Sequence, residues 1–427
     1  MNAETEEHVR EEQASTISEV FKTFETNPLK GKKIEQYYEG RASPINEIIE
    51  KLDKSESPLK FLFSGYRGSG KSTELNILSG SDKVMAKYFI VQFSIFEHLD
   101  IHDITYIDLL LTIGSEIYKK AFDNNIRISE DLCRDLLNWM NKITKTEITE
   151  ERAGAEFGAA LKGFFINLGS KIQTEAVTRE EIRKNLKPKL RDLIEKINNL
   201  IYAVENDKGF KKSGKKILVI VDDLDKLERE NAEKLFYEHS YSLTQPGCSI
   251  IYTIPISLIY SNKYTQIKLN FTDAYTLPNI RVFKSNGEKD EKGCNILKKI
   301  VEKRMNPKLI SDEATDAAIK NSGGVLHHFI DLIGSASIKA SMRNASKIHL
   351  EDVNSKIYDM RNDFDRMLKK EHYRVLEEIH KTKRADDGEI VLELFHNLSV
   401  LEYLNDERWC DVHPLIIPLL EKIKRKV

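Results

Sequence analysis

The stretch from Phe61 to Asn76, FLFSGYRGSGKSTELN, limits the possible folds more than any other part of the chain. Leu59 to Phe63 is a short apolar run of strand type, and Thr73 to Leu78 opens a helix. Between them, Gly65-Tyr66-Arg67-Gly68-Ser69-Gly70-Lys71-Ser72 fits G-x-x-x-x-G-K-[ST], a phosphate-cradling turn whose meaning depends on that strand-before, helix-after setting. Glycines here let backbone N–H groups face phosphate oxygens that a Cβ would keep away. The helix after the loop, with Thr73 in its first turn, adds the positive end of its dipole. Lys71 is placed to reach the β- and γ-phosphates, and the Ser72 hydroxyl to ligate Mg²⁺. Arg67 faces solvent or a partner.

A second stretch, Ile217-Leu218-Val219-Ile220-Val221 followed by Asp222-Asp223-Leu224-Asp225, has the form of a buried strand that ends in acid. In a parallel sheet this puts carboxylates beside the phosphate loop. Asp222 is suited to hold the Mg²⁺ shell through water, and Asp223 to orient the attacking water. In a further strand, Ser249 to Ile254, Thr253 sits where the strand should emerge, with Ser257 just beyond. Thr253 either senses the γ-phosphate or is simply a good strand former.

Around these anchors the chain alternates strand and helix, which favours a mostly parallel sheet covered by helices. Tyr88 to Ile95 is expected as a strand, Ile104 to Phe122 as a helix, Arg229 to Leu243 as a helix and Tyr275 to Val282 as the last strand. Ahead of the loop, Tyr37, Tyr38 and Arg41 either pack on the adenine or serve the core. Residues 130–210 break the rhythm as a helical insertion. Its apolar centre, Ala153 to Ile172, reads as a packing or oligomer-contact helix rather than a membrane-surface one, and Pro188 interrupts a long charged helix. From Asn295 the chain turns helical, with Ser322-Gly323-Gly324 separating two helices of a small lid. The end reads as helix, helix, strand, turn, strand, helix, the pattern of a winged helix with Asn405-Asp406-Glu407 at its tip.

The formal net charge of −2 over 427 residues gives no global case for nucleic acid. Cys133, Cys248, Cys294 and Cys410 are far apart in sequence, which argues against a metal site or disulfide framework and for a reducing compartment. The acidic, polar start is unlike a signal peptide, and no apolar run is long enough to span a membrane. A cytoplasmic protein is expected.

Taken together, GYRGSGKSTEL (Gly65 to Leu75), ILVIVDDLD (Ile217 to Asp225), SGGVLHHFIDLI (Ser322 to Ile333) and the closing winged-helix pattern resemble the AAA+ and STAND branch of P-loop ATPases, particularly bacterial ATPases similar to origin-recognition and cell-division-cycle initiators. The resemblance implies an α/β P-loop sheet flanked by helices, with a helical lid and a C-terminal winged helix. The implied parts are an arm at 1–34, an ATPase core at 35–285, a lid at 286–362 and a winged helix at 363–427. It also implies ATP and Mg²⁺ as cofactors and a homo-oligomer. The expected activity is that of a slow ATP-driven switch working on a protein effector, of the kind found in antiphage defence, or alternatively of an initiator-like ATPase that contacts duplex DNA. Two positions depart from the branch: His327 stands where a lid arginine often touches the γ-phosphate, and Asp223 replaces the common glutamate. Arg229, Arg281 and Arg304 are the candidates for a finger reaching a neighbouring subunit. Lys369-Lys370, Lys381 to Arg384 and Lys422 to Lys426 supply local positive charge for DNA phosphates.

Overall fold

The computed structural model describes residues 13–144, 157–386, 388–404 and 408–424. The acidic first dozen residues, the start of the apolar insertion before Phe157, the tip at Asn405-Asp406-Glu407 and the basic Arg425-Lys426 lie outside the described residues. The chain divides into two compact units. One comprises Met1–Pro44, Gly65–Ile77 and Thr276–Val427; the other comprises Ile45–Ser64 and Leu78–Tyr275.

The second of these is built on a sheet. Its strands are β1 (Lys60–Gly65), β2 (Tyr88–Ser94), β3 (Lys216–Asp222), β4 (Ser249–Ile254) and β5 (Asp273–Leu277), in the order β2-β3-β4-β1-β5. β2 pairs parallel with β3, β3 with β4, and β4 with β1. Ile217 to Val221 are fully buried, because helices cover both faces and a central parallel strand can only be apolar. In the β2–β3 register Ser94 stands opposite Asp222, so a hydroxyl and a carboxylate share one edge.

The insertion forms helices Glu130–Thr144, Phe157–Thr174, Ala176–Leu186 and Leu190–Glu205. Leu161, Phe164, Phe165, Leu168 and Ile172 join the same apolar core as β2 and helix Tyr106–Asp123. Packing within the unit therefore buries these five side chains, while Ile166 on the same helix is exposed. Pro188 sits in a 3₁₀ turn, Lys187–Lys189, between the last two helices, as its missing N–H requires. Two expected elements change. The last strand stops at Leu277, because Pro278 has no N–H to pair. The expected Arg229–Leu243 helix is broken by a single π turn over Lys234–Glu238.

The other unit is helical apart from one hairpin. Helix Ile17–Thr23 packs along Leu326–Met342, and Glu291–Arg304, Asp312–Ser322 and Leu350–Met367 complete the group. The C-terminal part is Lys370–Thr382, Glu389–His396, the antiparallel hairpin β6 (Val400–Leu404) and β7 (Arg408–Val412), and Ile417–Lys424. All four cysteines are buried and unbridged. Among the described residues no helix is long and apolar enough to cross a membrane.

Candidate functional site

The glycine-rich loop leaves β1 at Gly65 and ends where helix Lys71–Ser79 begins. Gly68 has φ +78, and a Cβ there would lie 2.5 Å from the His327 Cβ, so both backbone angle and space demand glycine. Lys71 is 5% exposed and curls back on its own loop, donating to the Gly65 carbonyl at 2.8 Å and the Tyr66 carbonyl at 2.9 Å. Ser69 is fully buried and its hydroxyl has no partner. Ser72 is partly exposed and Arg67 is exposed. Thr73 is turned away from the cradle: its hydroxyl accepts the Leu29 N–H at 3.1 Å, pinning the N-terminal segment to the loop helix.

Tyr38 and Arg41 meet at Glu74, a residue the sequence did not single out. Glu74 is 1% exposed. It accepts the Tyr38 hydroxyl at 2.9 Å, the Ser43 hydroxyl at 2.7 Å and Arg41 Nε at 3.4 Å. Burial, then the Glu74 charge, pushes the Tyr38 phenol up. Burial also pushes the Arg41 guanidinium down, with Glu74 opposing. Arg41 Nη1 and Nη2 are buried without a hydrogen-bond partner, and Nη2 lies 3.8 Å from where a Cβ on Gly70 would stand. Unpaired guanidinium nitrogens beside a glycine cradle fit an anion that both would hold.

The loop is also gripped from the far end of the chain. The Tyr66 side chain is 2% exposed; its ring packs 6.4 Å from Phe395, and its hydroxyl accepts the Glu402 N–H on β6 at 2.8 Å. The His327 N–H donates to the Gly68 carbonyl at 2.9 Å, and the His327 side chain is exposed. The Ser322-Gly323-Gly324 turn and the hairpin touch each other, since the Tyr403 hydroxyl donates to the Gly323 carbonyl at 2.7 Å. Beside them, His413 Nδ1 accepts the Leu415 N–H at 3.2 Å. Its Nε2 proton therefore goes to His328 Nδ1, 3.0 Å away. Burial, then the His327 charge, pushes His328 down to about 4, and burial keeps His413 neutral as well.

In the sheet unit, Asp222, Asp223 and Asp225 place carboxylate oxygens within 4.8 Å of one another. Asp223 has φ +69, a strained backbone angle for a non-glycine residue. Its carboxylate pairs with Lys226 at 2.6 Å and accepts the Ser94 hydroxyl. Thr253 is fully buried; its hydroxyl accepts the Leu224 N–H at 2.9 Å and donates to the Val221 carbonyl at 3.3 Å. It braces the turn that carries the acids. Ser94 and Lys226 were missed by sequence reading; the β2–β3 register was the signal for Ser94.

The three candidate arginines are all engaged within the chain. Arg304 is 6% exposed, donates to the Thr23 carbonyl at 2.6 Å and packs over Phe24 and Tyr37. That burial removes it from the candidates. Arg281 pairs with Asp290 at 2.5 Å and Arg229 with Glu233 at 2.9 Å.

Residues 41–251 match the KAP family P-loop domain. No curated protein matches the chain. Among solved structures the chain is similar to the Aeropyrum pernix ORC1 protein in complex with DNA, with a TM-score of 0.41 and 11% identity over 96% of this chain and 98% of that one. It is similar to Cdc6p of Pyrobaculum aerophilum (0.41, 11%, 95% and 98%). It is also similar to a Walker-type ATPase of Pyrococcus abyssi (0.44, 12%, 93% and 99%). The site rests on its residues rather than on these distant likenesses.

Proposed function

We propose that this P-loop NTPase domain of KAP type binds Mg·ATP and works as a slow switch that changes assembly or partner engagement through its C-terminal part. The observation that carries the reading is the Tyr66 hydroxyl on the Glu402 N–H: the phosphate loop itself is bonded to the hairpin. The backbone from Gly65 to Gly70 and Lys71 would hold the phosphates, with His327 and the lid against the loop. Ser72 and Asp222 would hold Mg²⁺, which supplies charge neutralisation between phosphate oxygens. Asp223 would orient water. Arg41 and Tyr38, on Glu74, line the same side as Gly70.

Slow turnover follows from what Asp223 is already doing. The Lys226 ion pair and the Ser94 hydroxyl compete with an attacking water for the Asp223 carboxylate, and that competition supports a lowered population of the water-orienting arrangement. Thr253 is likewise committed to backbone partners and acts by positioning the acids.

Native mass or light scattering with and without ATP tests this on wild type, Lys71→Ala and Asp223→Asn. Nucleotide-dependent assembly should appear in wild type, vanish in Lys71→Ala and persist longer in Asp223→Asn. No nucleotide affinity at millimolar levels would end the reading. Contact of the C-terminal part with duplex DNA is the competing reading. It is weakened because Lys383 pairs with Asp411 at 2.5 Å and Lys369 with Glu393 at 3.7 Å. A salt-dependent shift of duplex DNA, with a slope lost in Lys381→Ala/Arg384→Ala, would reinstate it.

A further inference from the structure

Asn279 is 5% exposed, and neither its Oδ1 nor its Nδ2 has a hydrogen-bond partner. A buried carboxamide with both ends unpaired forfeits the hydrogen bonds that water gave it, so it calls for a partner outside the protein. The fold shows where that partner belongs. Two residues earlier, the Leu277 carbonyl lies 2.9 Å from where a Cβ on Gly65 would stand, against the first residue of the phosphate loop. One residue later, the Ile280 N–H donates to the Gly324 carbonyl at 3.1 Å. Gly324 has φ +77, and a Cβ on it would come within 1.6 Å of the Ile280 carbonyl, so the lid turn and this segment are locked backbone to backbone. Asn279 is thus bracketed between loop and lid, within about 7 Å along the chain of the residue touching Gly65.

It is not alone. Among the described residues, Arg41 Nη1 and Nη2 beside Gly70 and the Ser69 hydroxyl of the loop are also buried and unpaired. Arg41 and Ser69 present donors, which suit phosphate oxygens or ribose. Asn279 alone offers a donor and an acceptor side by side. That is the complement of a heterocycle edge carrying one acceptor next to one amino group, and on adenine these are N7 and the 6-amino group. Guanine presents two acceptors, O6 and N7, on the same edge and can satisfy only one of them.

We infer that Asn279 reads the base of the bound nucleotide and selects adenine through its N7 and 6-amino edge. The inference rests on the nucleotide-binding reading above and adds which base is held and by what. A structural asparagine bound to trapped water would leave base preference untouched, and this separates the two roles.

The test is a set of dissociation constants for the full chain with ATP, GTP, 7-deaza-ATP and inorganic tripolyphosphate, for wild type and Asn279→Ala. Wild type should prefer ATP to GTP, and ATP to 7-deaza-ATP, by about tenfold to a hundredfold, the range for one bidentate contact. Asn279→Ala should bring all three nucleotides within about threefold of one another. Its tripolyphosphate affinity should stay at the wild-type value. An unchanged ATP-to-GTP ratio in Asn279→Ala overturns the inference. Should that variant not fold, equal wild-type affinity for ATP and 7-deaza-ATP overturns it without any substitution. If tripolyphosphate binds and the three nucleotides bind without preference among themselves, only the base assignment is lost. If none of them binds, the nucleotide reading goes with it.

Discussion

Each unit buries an arginine beside a nearly inaccessible carboxylate, and the two arginines are used in opposite ways. In the sheet unit, Arg183 spends every nitrogen. Nε bonds Asp108 at 3.0 Å, Nη1 bonds Asp103 at 2.8 Å and Glu180 at 2.5 Å, and Nη2 bonds Asp108 at 2.6 Å and the Asp103 carbonyl at 2.7 Å. Burial disfavours its charge, yet these carboxylates hold its pKa above the usual guanidinium value. In the helical unit, Arg41 spends only Nε, on Glu74, and burial pulls its pKa down. Equal burial with unequal pairing is what would separate a strut from a binding group: every Arg183 nitrogen has a partner, and two Arg41 nitrogens have none.

The sharpest break between them is a pair of substitutions. Arg183→Met leaves Asp108, 1% exposed, without its cation and should cost about 3–5 kcal/mol in urea unfolding. Its effect on ATP affinity should stay within about threefold. Arg41→Met likewise takes the cation from Glu74, which keeps two hydroxyl partners, so the apo protein should also lose about 2–4 kcal/mol, and affinity is the readout that separates the two. ATP affinity should instead fall about tenfold to a hundredfold, the scale of a lost charge-assisted contact. If both variants lose the same stability and neither changes affinity, Arg41 is a strut as well.

Acid sharpens the contrast next. The Arg183 cluster keeps its cation at any working pH, whereas the helical unit buries His328 and His413 neutral. His328 titrates near 4 when folded and near 6.5 when unfolded, so between these values the unfolded chain holds more protons. Its contribution is present above about pH 6.5 and is lost as pH falls toward 4. From pH 7.5 to 5 this amounts to roughly 2 kcal/mol. Urea unfolding at the two pH values should show at least that loss, because buried His413 adds its own, and His328→Gln should shrink the wild-type loss by roughly 2 kcal/mol. A variant that loses as much as wild type would place the acid sensitivity elsewhere.

What the sequence disclosed and what it hid follow the same division. The loop and the strand Ile217–Val221 were legible because glycine spacing and an unbroken apolar run are local demands, met residue by residue. Glu74 was not legible, because the approach of residues 38–43 makes it a hub, and no spacing within its own helix announces that. Arg304 read as a candidate finger since exposure cannot be seen in a sequence; packing over Phe24 and Tyr37 removed it. Thr253 was left open between phosphate sensor and strand former, and the structure gives its hydroxyl to the Leu224 and Val221 backbone. Asn279 shows the limit most plainly. Its interest lies in what it fails to bond, which only coordinates can show.

The smallest expected effect on stability concerns the link between loop and hairpin. Tyr66→Phe deletes one hydroxyl and leaves the buried Glu402 N–H unpaired, at a cost of about 1 kcal/mol. A like bond in the sheet unit supplies the comparison: the Tyr252 hydroxyl donates to the Leu243 carbonyl at 2.8 Å, and Tyr252→Phe should cost about as much. On the proposed reading the loop backbone would carry the phosphate contacts, so ATP affinity should change by less than about threefold in either variant. Hydrogen exchange at Val400–Leu404 separates them. In wild type, ATP should slow exchange along β6, because holding the loop holds Tyr66 and Tyr66 holds the Glu402 amide. Tyr252→Phe should keep that response and Tyr66→Phe should lose it. Equal responses in both would mean that the hairpin hears of the nucleotide through the lid, by way of Gly323 and Tyr403, and the Tyr66 bond would then be packing alone.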